Sequence, residues 1–285
     1  MQQVNHFQDQ ADKIATKLGL KDPIFVGKGA FKETYRVTDS SVNYLALKIF
    51  DPTKSNIQRS EREIEAMKMC DCEFVGKLRD YGEVAFDGKG KISFSLEDYF
   101  DGGTLSDSIQ SAGLKPKQLR ELGGSLCRAL SHLKALKLVH RDIKPDNIMY
   151  RKGSPNPILV DFGLVRNLSQ TSLTDSWMLN GPGTPYFSSP EQLNNDKALI
   201  GWRSDQFCLG VVLAYSTFKY HPFEDHGMTT PQVVERVARR GSLPNRFLED
   251  VKKSNLFPLL RMLELWPVRR HPDPEQLVIE LERMG

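Results

Sequence analysis

The first hundred residues carry a short helical pattern followed by a series of β-type patterns. Apolar residues recur at helical spacing at Val4, Phe7, Ala11, Ile14 and Leu18, which predicts an amphipathic N-terminal helix. Alternating or continuous apolar runs then predict strands over 24–26, 34–37, 44–50, 83–86 and 91–96. A charged segment over 54–69 predicts the one helix inside this strand-rich half. An Asp-Gly pair at 87–88 predicts a hairpin turn between the last two strands.

The pattern changes after the paired glycines Gly102 and Gly103. Helical periodicity dominates the rest of the chain, over 117–136, 204–217, 230–239 and 275–283. A strand-rich half followed by a helix-rich half indicates an α+β protein with two lobes. We therefore expect a helical extension over 1–20, a small lobe over 21–101 and a large lobe over 102–285, with a hinge near Asp101 at the glycines.

Composition narrows the class of protein. The 285 residues are 39% apolar and 26% charged, and the net charge is only +3, so we expect no nucleic-acid partner. The Cys70-x-Cys72 pair lacks a second pair or a nearby His at zinc spacing, while Cys127 and Cys208 lie in apolar helical segments. The longest apolar run, 209–215, is too short to span a bilayer, and no signal-peptide pattern begins the chain. We expect a cytoplasmic protein without a membrane partner.

The most specific chemical signal is an octapeptide of polar and charged residues, His-Arg-Asp-Ile-Lys-Pro-Asp-Asn over 140–147. Nineteen residues after Asp142, an apolar run ends in Asp161-Phe162-Gly163. Phosphoryl transfer from ATP needs a hard divalent cation with oxygen ligands, which Asn147 and Asp161 can supply. It also needs a group that accepts the proton of the attacking hydroxyl, and Asp142 is suited to that task.

A glycine turn lies between the first two predicted strands. Gly27 and Gly29 allow close approach of backbone N–H groups to a phosphate, although a Gly-x-Gly between strands is often only a turn. Lys48 follows the apolar residues 45–47 in the predicted strand 44–50, and a buried lysine needs an acidic partner. Glu63, in the charged helix, is the expected partner, with Glu61 and Glu65 as substitutes.

Together these motifs resemble the eukaryotic-type serine/threonine protein kinase family, over about 24–281. The resemblance implies the bilobal kinase fold, ATP and Mg²⁺ as cofactors, and protein substrates with Ser or Thr hydroxyls. It implies that Asp142 is the catalytic base and that Asn147 and Asp161 bind magnesium. Lys144 would stabilise the transferred phosphate, and its presence favours Ser/Thr substrates over Tyr.

The resemblance also implies how the nucleotide is held. Gly27 and Gly29 would frame the loop over the phosphates, and Lys48, paired with Glu63, would contact the α- and β-phosphates. The backbone at Asp98 and Phe100 would receive adenine. Further nucleotide contacts would come from four residues: Val26, Thr34, Ala46 and Met149.

Three-residue motifs at 183–185 and 189–191 resemble the end of a kinase activation segment. By this resemblance Thr184 steadies the catalytic Asp and Lys. Glu191 pairs with a late arginine, either Arg270 or Arg269. Asp205 would brace the backbone of the His-Arg-Asp segment; these last roles are structural.

Four positions depart from the family pattern. Lys32 occupies the third glycine position, where it would stiffen the loop or add a charge near the nucleotide. Thr34 replaces a usual Val, and Ser189 replaces a usual Ala. Glu97 falls at the position deepest in the adenine pocket, where relatives are apolar. Either Glu97 is tied to a partner or the register of this strand is different.

Two other functions share these motifs. A pseudokinase scaffold would keep the fold and bind partners without catalysis, and a small-molecule kinase would use the same fold on another substrate. Intact catalytic residues argue against the first, and the motifs at 183–191 argue against the second. The polar stretch 167–176 contains five hydroxyl residues, and we expect autophosphorylation at Thr171 or Thr174, recognised by Arg141.

Overall fold

Two helices and a five-stranded antiparallel sheet make up the N-terminal part of the computed structural model. Helix α1 (Gln8–Lys17) precedes strands β1 (Lys21–Lys28), β2 (Lys32–Thr38) and β3 (Tyr44–Phe50). Helix α2 (Ile57–Met69) leads to β4 (Leu78–Ala85) and β5 (Lys91–Asp98), and the sheet order is β1-β2-β3-β5-β4. The structure describes residues 7–29, 31–53, 57–85, 90–110, 112–168 and 185–283.

The two faces of this sheet differ in character because side chains alternate along each strand. On β2, Tyr35 and Val37 are buried against α1, whose Ala11 and Ile14 are also fully buried. Burial of these apolar side chains, at about 25 cal/mol per Å², is what attaches α1 to the sheet. The opposite face carries the alternate residues of β2 and β3, many of them polar. The sequence periodicity predicted this helix correctly.

The rest of the chain is mainly helical. Its elements are α3 (Leu105–Ser108), α4 (Pro116–Ala135), β6 (Leu138–Val139), β7 (Ile148–Tyr150), β8 (Pro157–Leu159), β9 (Arg166–Asn167), α5 (Pro190–Leu193), α6 (Trp202–Phe218), α7 (Thr230–Ala238), α8 (Asn245–Lys253), α9 (Pro258–Met262) and α10 (Pro274–Glu282). The contacts divide the chain into one unit of 1–71 and 76–100, and a second of 72–75 and 101–285. None of the described helices is both long and apolar enough to cross a membrane.

Helix α6 forms the centre of the second unit. Most of its residues are buried, including Asp205 and Cys208, so it acts as a fixed support for the segments around it. Two short antiparallel pairs, β6 with β9 and β7 with β8, frame the chain on either side of residues 140–147. The polar segment therefore starts directly after one paired strand and ends directly before another.

The paired glycines after β5 are tied to β7. Gly102 donates its N–H to the Tyr150 carbonyl, and Gly103 accepts from the Tyr150 N–H. A Cβ on Gly102 would lie 2.8 Å from that carbonyl oxygen, and Gly103 has φ +79°. Glycine is required at both positions, because one backbone approaches closely and the other is left-handed. Within the second unit these glycines are pinned to β7.

Candidate active site

Asp205 holds the backbone that presents the candidate catalytic residues. Its two carboxylate oxygens accept hydrogen bonds from the N–H groups of His140 and Arg141, each at 2.8 Å. Arg141 has φ +70°, a left-handed conformation that is costly for a non-glycine residue. Burial raises the pKa of Asp205 to about 7, against the opposing effect of the two N–H donors. The predicted bracing role of Asp205 is confirmed.

The two oxygens of the Asp142 carboxylate have different surroundings. Oδ2 accepts from Lys144 Nζ at 2.9 Å and from Asn147 Nδ2 at 2.9 Å. Asn147 Nδ2 also donates to the Asp142 carbonyl at 2.8 Å. None of the described residues donates to Oδ1. The carboxylate is thus fixed through one oxygen, while the other is available to accept a proton from a hydroxyl.

Oxygen donors for a hard cation lie next to this carboxylate. Because Asn147 uses its Nδ2 on Asp142, its amide oxygen faces away from that contact and can act as a ligand. The Asn147 carbonyl accepts from the Val160 N–H at 2.9 Å, which brings the residue before Asp161 against the same segment. Asp161 has φ +69° and accepts from the Gly163 N–H at 3.1 Å.

The donor set fits magnesium that is shared with a phosphate. Within the described ranges no group of three or more His, Cys, Asp or Glu side chains could hold a metal ion. Magnesium in phosphate-transferring sites is commonly held by only one or two protein oxygens, with the remainder from water and substrate phosphate. Asn147 and Asp161 match that requirement.

His140 and Phe162 connect the two segments of the site. The His140 ring is fully buried, and it lies in a T-shaped contact with Phe162 at 5.1 Å between ring centroids. Its Nε2 lies 3.2 Å from the Val160 carbonyl, and its Nδ1 accepts from the Asp142 N–H at 3.3 Å. Burial lowers the pKa of His140, so the ring stays neutral and its Nδ1 remains an acceptor.

Gln192 is a supporting residue that the sequence reasoning missed. Its Nε2 donates to the Arg141 carbonyl at 2.8 Å, and its Oε1 accepts from the Ser189 hydroxyl and the Cys208 thiol. Ser189 precedes Gln192 by three residues, which is the spacing of a capping box. That spacing is the sequence signal that could have identified both residues. Ser189, where relatives carry Ala, thus helps to orient Gln192.

The late arginine that pairs with Glu191 is Arg270. Its Nη1 and Nη2 lie 2.6 and 3.0 Å from the two Glu191 oxygens, and neither side chain is exposed. Arg270 Nε and Nη1 also donate to the carbonyls of Glu264 and Arg203. Of the two arginines left open by the sequence, the structure selects Arg270.

In the first unit, the predicted nucleotide contacts share the sheet face opposite α1. Thr34 is the cross-strand partner of Lys48, and Ala46 is the partner of Glu97. Val26 lies at an irregularity of β1 between Phe25 and Gly27, and half of its surface is exposed. Gly29 closes the glycine turn by donating its N–H to the Lys32 carbonyl at 2.8 Å.

The predicted ion pair between Lys48 and Glu63 is wrong. Lys48 Nζ lies 2.5 Å from Glu97 Oε2, while Lys32 Nζ lies 2.5 Å from Glu63 Oε1. Glu97 Oε1 also accepts from the Ser95 hydroxyl at 2.7 Å. Glu97, at the position deepest in the adenine pocket, is therefore paired with a lysine. This is the first of the two alternatives that the sequence left open. Sequence spacing could not decide which acid meets which lysine.

The remaining predicted site residues are placed as follows. Asp98 ends β5; its N–H donates to the Lys77 carbonyl, and its carboxylate binds Arg79. That N–H therefore cannot be the donor to adenine. Phe100 is buried in the first unit, and Met149 pairs with Ile158 in the second. Thr184, the hairpin at 87–88 and the hydroxyl residues of 169–176 lie outside the described residues.

Known protein kinases are similar in sequence to this chain. The profile of the protein kinase domain family matches residues 22–261. MAP kinase-activated protein kinase 2 of Mus musculus is 26% identical over 88% of this chain, and the chain covers 69% of that protein. Serine/threonine-protein kinase AfsK of Streptomyces coelicolor is 28% identical over 90% of this chain, which spans only 30% of AfsK. A probable serine/threonine-protein kinase of Clostridium perfringens is 24% identical over 91% of this chain, which spans 37% of it.

Proposed function

Since this chain belongs to the protein kinase domain family, we propose that it is a serine/threonine protein kinase that moves the γ-phosphoryl group of ATP to protein hydroxyls, with Asp142 as the catalytic base. The observation that carries this proposal is the asymmetric environment of the Asp142 carboxylate. One oxygen is held by Lys144 and Asn147, and the other accepts no hydrogen bond from the described residues. A base positioned through one oxygen can orient a hydroxyl with the other.

In the proposed reaction, a Ser or Thr oxygen attacks the γ-phosphorus of ATP. The bond from that phosphorus to the β,γ-bridging oxygen breaks, and ADP leaves with the bond's electron pair. Asp142 Oδ1 takes the hydroxyl proton. Lys144, 2.9 Å from Asp142 Oδ2, would stabilise the charge on the transferred group.

Magnesium is part of the proposal. Asn147 and Asp161 would hold it, and it would supply positive charge that neutralises the phosphate oxygens. Asp161 follows β8 by two residues and has a left-handed backbone with φ +69°. Strain of about 1–3 kcal/mol at a single residue persists where the surrounding structure fixes it, which is common at functional sites.

The proposed substrates are proteins, with the chain itself among them. Autophosphorylation at Thr171 or Thr174 remains an inference from the sequence, since both lie outside the described residues. A cytoplasmic location is also proposed, because ATP is available there and all four cysteines are free thiols.

Transfer of labelled phosphate tests the proposal. The purified chain is incubated with γ-labelled ATP and Mg²⁺, alone, with a generic protein substrate, and with a panel of small metabolites. We expect label on Ser or Thr of protein, loss of labelling on chelation of Mg²⁺, and none on metabolites. Label that goes only to metabolites would indicate a small-molecule kinase, and nucleotide binding without any transfer would indicate a pseudokinase.

A further inference from the structure

Two buried acids and two lysines occupy neighbouring positions in the first unit. Glu63 and Glu97 are 3% and 4% exposed. Each is paired with one lysine, Glu63 with Lys32 and Glu97 with Lys48, and both lysine side chains are 12% exposed. A buried carboxylate without a counter-charge is strongly unfavourable. Each acid therefore requires a cation of its own.

This requirement links two departures from the family pattern. With an apolar residue at position 97, Lys48 would be available to Glu63. Glu97 instead engages Lys48, and Ser95 fixes its second oxygen. Glu63 would then be left without this lysine, and Lys32, in a position usually held by glycine, takes that place. The unusual lysine and the unusual glutamate compensate for each other.

Lys32 is placed to reach a nucleotide. It begins β2 directly after the glycine turn, and its carbonyl accepts from Gly29. It lies two residues from Thr34, the cross-strand partner of Lys48, so both lysines leave the same sheet face at diagonal positions. Such positions are roughly 7–8 Å apart, within reach of long side chains. The Lys32 ammonium also lies 5.7 Å from the Phe50 ring centroid.

We propose that Lys32, positioned by Glu63, is a phosphate-binding lysine of this kinase, and that Lys48 acts chiefly as the counter-ion of Glu97. The inference rests on the proposed use of ATP. It assigns to Lys32 the contact that family resemblance assigns to Lys48. Glu63 is a positioning residue, because it acts through Lys32 and fixes where the ammonium is presented.

Nucleotide binding tests the assignment without depending on transfer. Calorimetric titration of Lys32→Met with ATP and with adenosine should show ATP affinity reduced roughly 10-fold or more and adenosine affinity unchanged. Lys32→Arg should retain most of the ATP affinity. Lys91→Met is the control, because Lys91 is an exposed lysine of the same sheet that is paired with Glu83. Lys32→Met that binds ATP within two-fold of the parent, or loses adenosine equally, would overturn the proposal.

A second-site rescue provides the sharper test. Glu97→Met releases Lys48, which can then pair with Glu63. We expect the double variant Lys32→Met/Glu97→Met to regain ATP affinity to within a few-fold of Glu97→Met alone. If Lys32→Met weakens ATP binding equally in both backgrounds, the compensation argument is wrong.

A double-mutant cycle identifies which lysine Glu63 serves. The effects of Glu63→Gln and Lys32→Met on ATP affinity should be strongly non-additive, whereas those of Glu63→Gln and Lys48→Met should be nearly additive. The opposite result would assign Glu63 to Lys48 and reject the proposal. Thermal unfolding of each variant confirms that it is folded. Asp142→Asn should retain the parental ATP affinity, so failure of phosphate transfer and failure of this inference give different results.

Discussion

Glu191 and Arg270 form a two-pronged ion pair with no exposed side-chain surface on either partner. The guanidinium also donates to two backbone carbonyls and lies 4.7 Å from the Phe207 ring centroid. With these partners the charges compensate each other inside the second unit. Removal of one charge leaves the other buried and unpaired.

Glu191→Ala should therefore destabilise the protein by about 3–5 kcal/mol, since breaking a buried pair is far more costly than never forming it. Urea unfolding monitored by circular dichroism measures this. The double variant Glu191→Leu/Arg270→Met should recover much of the loss. Glu249→Ala, which removes an exposed pair with Lys253, should change stability by less than about 1 kcal/mol. Equal losses of unfolding free energy in Glu191→Ala and Glu249→Ala would contradict this prediction.

Asp142→Asn should lower the transfer rate by roughly 10²-fold or more, because a positioned base is lost. The change is nearly isosteric, and Lys144 and Asn147 can still meet a polar group, so the fold should be retained. Steady-state kinetics with a protein substrate give kcat and KM. Turnover within a few-fold of the parent would mean that another group accepts the proton. Asp146→Asn, an exposed change in the same loop, is the control.

The buried His221 should make stability depend on pH. Burial lowers its pKa to about 3, from 6.5, and its Nδ1 accepts from the Phe223 N–H at 3.2 Å. Between these pH values the unfolded chain binds a proton that the folded chain excludes. The stability from this group is thus full above pH 6.5 and is lost as pH falls toward 3, by about 1.4 kcal/mol per pH unit at most.

Equilibrium unfolding between pH 4 and 7 checks the sign and size of this effect. His221→Asn keeps an acceptor near the Phe223 N–H but does not titrate in this range, so its stability should fall less steeply with acid. The exposed His226→Asn should follow the parent. A parental slope in His221→Asn would assign the acid sensitivity to other groups, of which the buried His140 is the first candidate.

Glu33 should strengthen the attachment of α1 that apolar packing provides. Its Oε2 accepts from the Tyr35 hydroxyl at 2.8 Å and the Phe7 N–H at 3.3 Å, and its Oε1 accepts from Lys28 at 2.9 Å. Burial and this carboxylate raise the pKa of Tyr35, so the hydroxyl remains a donor. Glu33→Gln should cost about 1–3 kcal/mol, because a charged acceptor of three donors becomes neutral.

Amide hydrogen exchange shows which part of the protein loses stability in Glu33→Gln. Amides of α1 should exchange faster in Glu33→Gln than in the parent, while those of α6 should not change selectively. Glu83→Gln removes an exposed pair with Lys91 and should leave α1 protected. Unchanged protection of α1 in Glu33→Gln would show that apolar packing alone holds this helix.

The sequence predicted several elements with repeated apolar positions and missed others. Strand β3 was predicted at its observed bounds, and α4 and α6 to within two residues at each end, because their apolar positions recur over many residues. Helix α8 was missed because only Phe247 and Val251 are buried along it. A single pair at this spacing does not distinguish a helix from a loop.

The candidate site likewise contains contacts that the sequence predicted and contacts that it did not. Residues joined by short chain segments, such as Asp142 and Asn147, were predicted because their spacing alone brings them together. The lysine–acid pairs were not, because Lys48 can reach more than one acid and the choice depends on which carboxylates are buried. The sequence identified Lys32 and Glu97 separately as departures from the family pattern. Their connection requires the register of β2, β3 and β5.

Lys32 and Glu33 are consecutive residues of one strand, so their side chains leave opposite faces of the sheet. One is bonded to α2 and the other to Tyr35 and the first residue before α1. The same strand end is therefore bonded to α2 on one face and to the start of α1 on the other. A partner that holds α1 more firmly could change the affinity of the protein for nucleotide phosphate. By thermodynamic reciprocity, bound nucleotide would then change the affinity for that partner by the same factor.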